Sequence, residues 1–248
     1  MNTNAKIKIA LSAILLIAAA SILFFARVYK EKLMQEKTVP ISEQMTVQLP
    51  RPNFESSTSI EKALRERRSH RDYGEGSLSL EEIAQLLWAA QGISHNRYLR
   101  TAPSAGALYP VETYLVAGEV QNLPAGVYRY QPHRHALVLT CSGDVRRQLC
   151  SVSLHQEAIS SAPACIAFSA VYARSTVKYG KRGIRYTHME AGIAAQNVSL
   201  QAVSLNLGTV VIGSFDDDEV RDVLALPAGE DPLLIMPVGK VLGIPSRP

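Results

Sequence analysis

Five consecutive residues, Arg67-Arg68-Ser69-His70-Arg71, put three guanidiniums and a hydroxyl at the end of a predicted helix. Arginine presents a rigid fork of donors that matches phosphate oxygens, and the serine adds a further donor. The chemistry this suggests is the holding of a phosphate-bearing ligand. The competing reading is a solvated basic helix end, since cations near a helix C-terminus interact favourably with its dipole. A second stretch, Ala102-Pro103-Ser104-Ala105-Gly106-Ala107-Leu108-Tyr109-Pro110, lies in a loop over 93–110 with no regular periodicity. Its small side chains would let backbone approach a flat ligand closely, and long loops in compact domains are often functional. An ordinary surface loop remains the alternative.

The elements that would position these stretches can be read from caps and periodicity. Thr58 with Glu61 fits a capping box for a helix running to about Ser69, with Ile60, Ala63 and Leu64 on one apolar face. Asp72-Tyr73-Gly74-Glu75-Gly76 then breaks that helix. Ser79 with Glu82 is a second capping box; Leu80, Ile83, Leu87 and Ala90 form the buried stripe, Trp88 reads as core, and Gly92 ends the helix. Strands are expected at 113–117, 126–130 and 136–140, joined as an antiparallel meander. A helix from Asp144 to about Ser160 and a buried strand at 164–168 follow. The stretch from Lys178 to Tyr186 reads as a basic, glycine-punctuated loop, and 187–206 as a long helix, apolar nearly all round and ended by Gly208. A strand at 209–212, a short helix capped by Asp216 with Glu219, and a last strand at 233–238 complete an α+β order.

Composition narrows the classes. The chain has 248 residues, of which 47% are hydrophobic and 19% charged, as in a folded globular protein. A net charge of +4 suits an anionic cofactor or a membrane surface. Nucleic acid is not indicated, because no basic stripe or recognition motif is present. Cys141, Cys150 and Cys165 form no CxxC pair and no zinc spacing, so buried free thiols are expected and no metal site. His133 and His135 read as turn residues.

Residues 1–26 end in an almost unbroken apolar run from Ile7 to Ala26, long enough to span a bilayer. A cleavable signal peptide is the rival, but Ile22-Leu23-Phe24-Phe25 continue the run past the small residues Ala18-Ala19-Ala20, which favours an uncleaved single-pass anchor. The flanking cations lean toward a cytoplasmic domain after it. Residues 27–56, with Pro40, Pro50 and Pro52, read as a linker or stalk, and 57–248 as the folded domain.

Taken together, Arg67–Arg71, the run Ser104 to Glu112, Gly126-Val127-Tyr128-Arg129-Tyr130, and Tyr179 to Tyr186 leading into Glu190-Ala191-Gly192 and Gln196-Asn197 resemble the nitroreductase superfamily of FMN-dependent oxidoreductases. More narrowly they resemble its SagB-type branch, which includes the azoline oxidases of thiazole- and oxazole-modified peptides. The resemblance covers about 57–248. It implies a nitroreductase-like α+β fold, a mixed and mostly antiparallel sheet flanked by helices, here preceded by the N-terminal transmembrane helix. It also implies a homodimer with FMN at the subunit interface. By it, Arg67, Ser69 and Arg71 contact the FMN phosphate and ribityl chain with Arg68 nearby. Pro103, Ser104, Ala105 and Gly106 line the isoalloxazine edge, Ile212 and Gly213 present backbone to the flavin, and Arg247 completes the phosphate site, with Lys240 a weaker candidate. A flavin carries the hydride chemistry itself, and the protein supplies anchoring and orientation. Azoline-oxidising relatives hold a Lys-Tyr pair in the substrate pocket; Lys178-Tyr179 sits where that pair would fall, with Lys178 a candidate base and Tyr179 its orienting or relay partner. An exposed loop charge is the other reading of Lys178.

Two classes of function follow. One is a membrane-tethered FMN-dependent oxidoreductase acting on a small organic molecule or a modified peptide, either dehydrogenating azolines or reducing nitro or quinone compounds with a nicotinamide donor. The other is a non-catalytic flavin-fold scaffold, motivated by Ile193, which stands where many relatives carry a histidine.

Overall fold

A computed structural model describes residues 45–95 and 98–242. The anchor expected over 1–26, most of the expected linker, and Arg247 lie outside the described residues. Among the described residues, no helix is long and apolar enough to cross a membrane.

The sheet is built around two strands that are buried along their whole length, β5 (Val111–Ala117) and β8 (Ala164–Ala170), paired antiparallel with Leu115 opposite Ile166. Side chains alternate across a strand, so each of these strands feeds two cores. Leu115, Ile166 and Phe168 pack on one face with Leu86, Leu87, Ala194 and Val198, while Tyr114, Val116 and Cys165 pack on the other with Leu149, Ile159 and Val220. Strands β6 (Gly126–Gln131) and β7 (Ala136–Ser142) continue from β5 as the expected meander. Beyond β8 lies β10 (Asp231–Val241), which also pairs with β2 (Tyr73–Gly74) and β9 (Leu207–Thr209). The far edge is β1 (Thr46–Gln48), bonded to β7. The folded domain therefore reaches back into the stretch expected as linker: Leu49 is buried, and Gln85 bonds the backbone of Asn53. A small hairpin of β3 (Ile93–His95) and β4 (Leu99–Arg100) occupies the start of the loop expected over 93–110.

Helices cover both faces. On the first lie α1 (Ile60–Glu66), α2 (Leu80–Gln91) and the 23-residue α6 (Arg182–Ser204). On the second lie α3 (Arg146–Val152), α4 (Glu157–Ser161) and α7 (Asp217–Val223). The capping box of α2 forms as read, with the Ser79 hydroxyl accepting from Glu82 N and the Glu82 carboxylate accepting from Ser79 N. Asp216 likewise caps α7.

Several expectations are corrected. The cap of α1 is Ser59, which accepts from Lys62 N, not Thr58. Ala63 is buried, but Ile60 and Leu64 are exposed. Helix α1 stops at Glu66 because the chain beyond it is recruited to the sheet: His70 N donates to Thr209 O, and Ser69 bridges Thr209 in parallel. The helix expected over 144–160 is cut into α3 and α4 at Leu154 and His155, both with positive φ. Trp88 is half-buried and packs against Phe54. The basic loop at 178–186 is a helix–helix corner: α5 (Tyr172–Tyr179) turns through Gly180 directly into α6. Gly183 is there for close packing, since a Cβ would lie 2.7–2.9 Å from the backbone of Ser175 and Thr176. Asn206, at φ 56°, makes the turn expected of Gly208, which instead lies within β9 against His70. All three cysteines are buried thiols, as expected.

Candidate active site

The expected site residues fall into two groups. The first runs along β9. Arg67 is the C-cap of α1, Ser69 and His70 pair with Thr209, and Arg68 and Arg71 are exposed beside them. Arg68 donates from Nη1 to the carbonyls of Arg65 and Arg67, both at 2.8 Å. Among the described residues, no carboxylate pairs with Arg67, Arg68 or Arg71. Three cations and a hydroxyl held in one short segment without an internal anion form a donor set suited to a phosphate. The strand expected over 209–212 ends at Thr209, and the chain runs on without strand structure to Ile212, an isolated bridge to Ile235, and Gly213. The Ile212 N–H and C=O are each bonded to Ile235 at 2.9 Å. Gly213 is exposed, and its amide has no acceptor among the described residues. Lys240, the weaker phosphate candidate, is paired with Glu82.

The second group is assembled around Ser104–Tyr109. Gly106, Ala107 and Tyr109 all have positive φ, at 63°, 54° and 47°. Non-glycine residues in this region carry strain that the surroundings must hold. Here Ala107 N bonds Ser104 O, Tyr109 N bonds Ser104 Oγ at 2.8 Å, and the Arg100 guanidinium stacks 4.1 Å from the Tyr109 ring centroid. Helix α6 contributes Glu190, 5% exposed, whose Oε1 accepts from Ala105 N at 2.8 Å. Burial pushes the Glu190 carboxyl above the ordinary glutamate value, against the opposing pull of the Ala105 amide and the Ser104 hydroxyl.

Helix α5 brings Lys178 and Tyr179 to this same loop. A Cβ built on Gly106 would lie 2.7 Å from Tyr179 Oη and 2.9 Å from Lys178 Nζ, so the absent side chain is what lets both polar heads reach the loop backbone. Tyr179 is held edge-on by the Tyr186 ring at 5.2 Å, and Lys178 Nζ stands 5.4 Å from the Tyr179 ring centroid. Lys178 is exposed.

Within one chain no described contact joins the two groups. The cleft between α1, α2 and α6, lined by Ala63, Trp88, Thr101, Asn197 and Gln201, contains none of the expected site residues. Sequence reasoning passed over Glu190 and Arg100 as participants, and also Arg174 and Glu112. Arg174 Nη1 donates to Tyr109 O at 2.8 Å and Nη2 lies 2.6 Å from Glu112 Oε1. The available signal was Glu112 itself, a carboxylate near the start of a mostly apolar strand, which requires a cationic partner if buried.

Comparison with known proteins places the chain in a family and a fold. Residues 64–240 match the model of the Nitroreductase family. A protein of Methanocaldococcus jannaschii that carries a provisional nitroreductase name is 43% identical over 195 residues, 79% of this chain and 97% of that protein. The microcin B17-processing protein McbC of Escherichia coli is 29% identical over 71% of this chain and 69% of its own length. A structure of the E. coli microcin synthetase McbBCD complex with truncated pro-MccB17 bound matches with a TM-score of 0.62 at 27% identity, covering 83% of each chain. A crystal structure from Ralstonia eutropha, also provisionally named a nitroreductase, matches with a TM-score of 0.72 at 29% identity, covering 84% of this chain and 94% of that one. This kinship favours the oxidoreductase over the non-catalytic scaffold. The chain, with its antiparallel sheet, its helices on both faces and its basic and Ser-Ala-Gly segments, belongs to the nitroreductase family of oxidoreductases.

Proposed function

We propose that the protein is a SagB-type, FMN-dependent dehydrogenase that works as a homodimer on a small organic molecule or a peptide azoline. The observation that carries this reading is the convergence of Lys178 Nζ and Tyr179 Oη on the side-chain-free position Gly106. A plain flavin reductase needs no basic side chain over the loop that lines its ring. The kinship with a protein named for processing microcin B17 supports a modified-peptide substrate.

The residues fit FMN. Arg67, Ser69 and Arg71 would hold the phosphate and ribityl chain with Arg68 beside them, and Arg247 is proposed to complete that end. Pro103, Ser104, Ala105 and Gly106 would border the ring, and Gly213 offers an unengaged amide to its edge. The two groups would meet across a dimer, an arrangement supported by the apolar side chains that α1 and α6 expose: Ile60, Leu64, Ile184, Met189 and Ile193. Bound FMN would supply the acceptor for the hydride, which carries both electrons of the oxidation. Dehydrogenation of an azoline ring removes two hydrogens from neighbouring atoms, one as hydride and one as a proton. Lys178 takes that proton, and Tyr179, fixed by Tyr186, orients the amine and keeps a hydrogen-bonding group on the substrate. The 7–26 apolar run supports a tether that holds this chemistry at a membrane, with the domain on the cytoplasmic side.

A second reading is reduction of nitro or quinone compounds with a nicotinamide donor, supported by the name of the M. jannaschii relative. Lys178→Ala separates the two. Under the azoline reading it lowers turnover of a synthetic thiazoline dipeptide by about 10²-fold or more, the usual worth of a general base, and leaves menadione reduction within a few-fold. Equal effects on both substrates, or none on either, would favour the reductase.

A further inference from the structure

The pairing of Lys178 with Gly106 depends on two elements that arrive from different parts of the chain. The loop Ser104–Tyr109 leads into β5, and Lys178 sits at the end of α5, which follows β8. Their first link is the sheet itself: Val111 pairs with Ala170, and Val171 N donates to Pro110 O at 2.8 Å. That link fixes the start of α5 but not the end that carries Lys178. The first turn of the helix also carries Arg174. Its guanidinium donates from Nη1 to Tyr109 O, in the strained part of the loop, and from Nη2 to Glu112 Oε1 on β5. Glu112 is buried and is met from the other side by Arg129 Nη2 at 2.9 Å. Arg174 lies one helical turn before Lys178, so the two project from the same side of α5.

We propose that Arg174 is a positioning residue. Its forked guanidinium, seated on Glu112, ties the Tyr109 carbonyl to α5 and so sets the distance between the Lys178 amine and the Gly106 backbone. A planar fork serves two acceptors at fixed geometry, which a lysine cannot do. Tyr109 holds a positive φ without the freedom of glycine, and the Arg174 bond to its carbonyl is one of the contacts that keep it there. The functional consequence rests on Lys178 being the proton-handling group; the geometric statement does not.

The test uses the full chain in detergent and two variants. Arg174→Met removes both bonds and leaves the Glu112 carboxylate with one partner fewer. Arg174→Lys keeps a charge near Glu112, and with it the fold, but cannot serve both acceptors. Amide hydrogen exchange is followed by mass spectrometry over 104–109, with α6 and β5 as internal references. Exchange of the loop amides is expected to rise about tenfold or more in Arg174→Lys, the range over which local openings separate from global ones, with the references unchanged. Loop exchange equal to wild type would overturn the proposal, as would faster exchange everywhere, which would make Arg174 merely structural. A second readout uses the thiazoline dipeptide and menadione. In Arg174→Lys, kcat for the thiazoline is expected to fall about tenfold at little-changed KM, with menadione reduction within twofold, because misplacement of about 1 Å affects only the Lys178-dependent step. A parallel fall with both probes contradicts the proposal. If wild type does not oxidise the thiazoline at all, the azoline reading fails, and the exchange result alone decides whether Arg174 holds the loop.

Discussion

The Ala105 amide donates to Glu190 Oε1 at 2.8 Å, a bond that fastens the Ser-Ala-Gly loop to the central helix of the domain. The carboxyl that accepts it is buried, and burial raises it above the ordinary glutamate value. A carboxyl raised in the folded state contributes stability that is fully present below its unfolded value and is lost as the pH rises through the folded one. The window therefore opens at about pH 4.3 and extends upward. Glu190→Gln keeps an oxygen for Ala105 and removes the titration. Urea unfolding at a series of pH values should show the variant gaining on wild type as the pH rises through that window. A constant difference would contradict the reading. Glu190→Ala removes the acceptor altogether and is expected to cost about 1–3 kcal/mol below that window, as an orphaned buried amide does, and less above it.

Gly106 tests the site from the other side. Its φ of 63° is open to alanine only with strain of about 1–2 kcal/mol. The atoms a Cβ would strike are the ends of Tyr179 and Lys178, which can swing away without disturbing the fold. Gly106→Ala should therefore lower Tm by only a few degrees, about 2–4 °C per kcal/mol for a domain of this size. Lys178-dependent turnover should fall about tenfold or more, since the displaced amine no longer meets the reacting atom. A variant with wild-type turnover would place the chemistry elsewhere.

The exposed apolar side chains of α6 carry a prediction about assembly. Met189 is 56% exposed and Ile193 40%, on a helix whose opposite face is core. If this surface is the dimer interface, Ile193→Asp should convert the protein to a monomer by light scattering, with little loss of monomer fold because the side chain is on the surface of each chain. Flavin should be lost with the dimer, because the proposed site brings the two groups of residues together across it. A dimeric Ile193→Asp protein would move the interface to another face.

Much of this architecture was legible in the chain. The Ser79–Glu82 box, the meander around β6 and the Asp216 cap announce themselves because each is a local interaction of neighbours in sequence. What was not legible depends on distant partners. Helix α1 is cut short at Glu66 by backbone bonds to Thr209, far along the chain, and no propensity encodes them. Gly180 and Gly183 look like loop punctuation, yet one makes a tight corner and the other lets α5 lie against α6. The Arg-Ser-Arg and Ser-Ala-Gly stretches were visible as donors and small residues. Arg174 and Glu112 were not, because their meaning lies in a contact between α5 and β5 that only the fold creates.

The central claim is that the basic segment beside β9 holds a flavin phosphate. Arg67 and Arg71 meet no carboxylate among the described residues, so replacing both should leave stability nearly unchanged while removing two charge-assisted contacts of about 1.5–3 kcal/mol each. The direct measurement is the visible absorbance of the full chain, purified in detergent and desalted after incubation with FMN, beside the Arg67→Ala/Arg71→Ala variant. Twin flavin bands retained by wild type and lost by the variant are the predicted result. A colourless wild type, or a variant that keeps its flavin, would contradict the account.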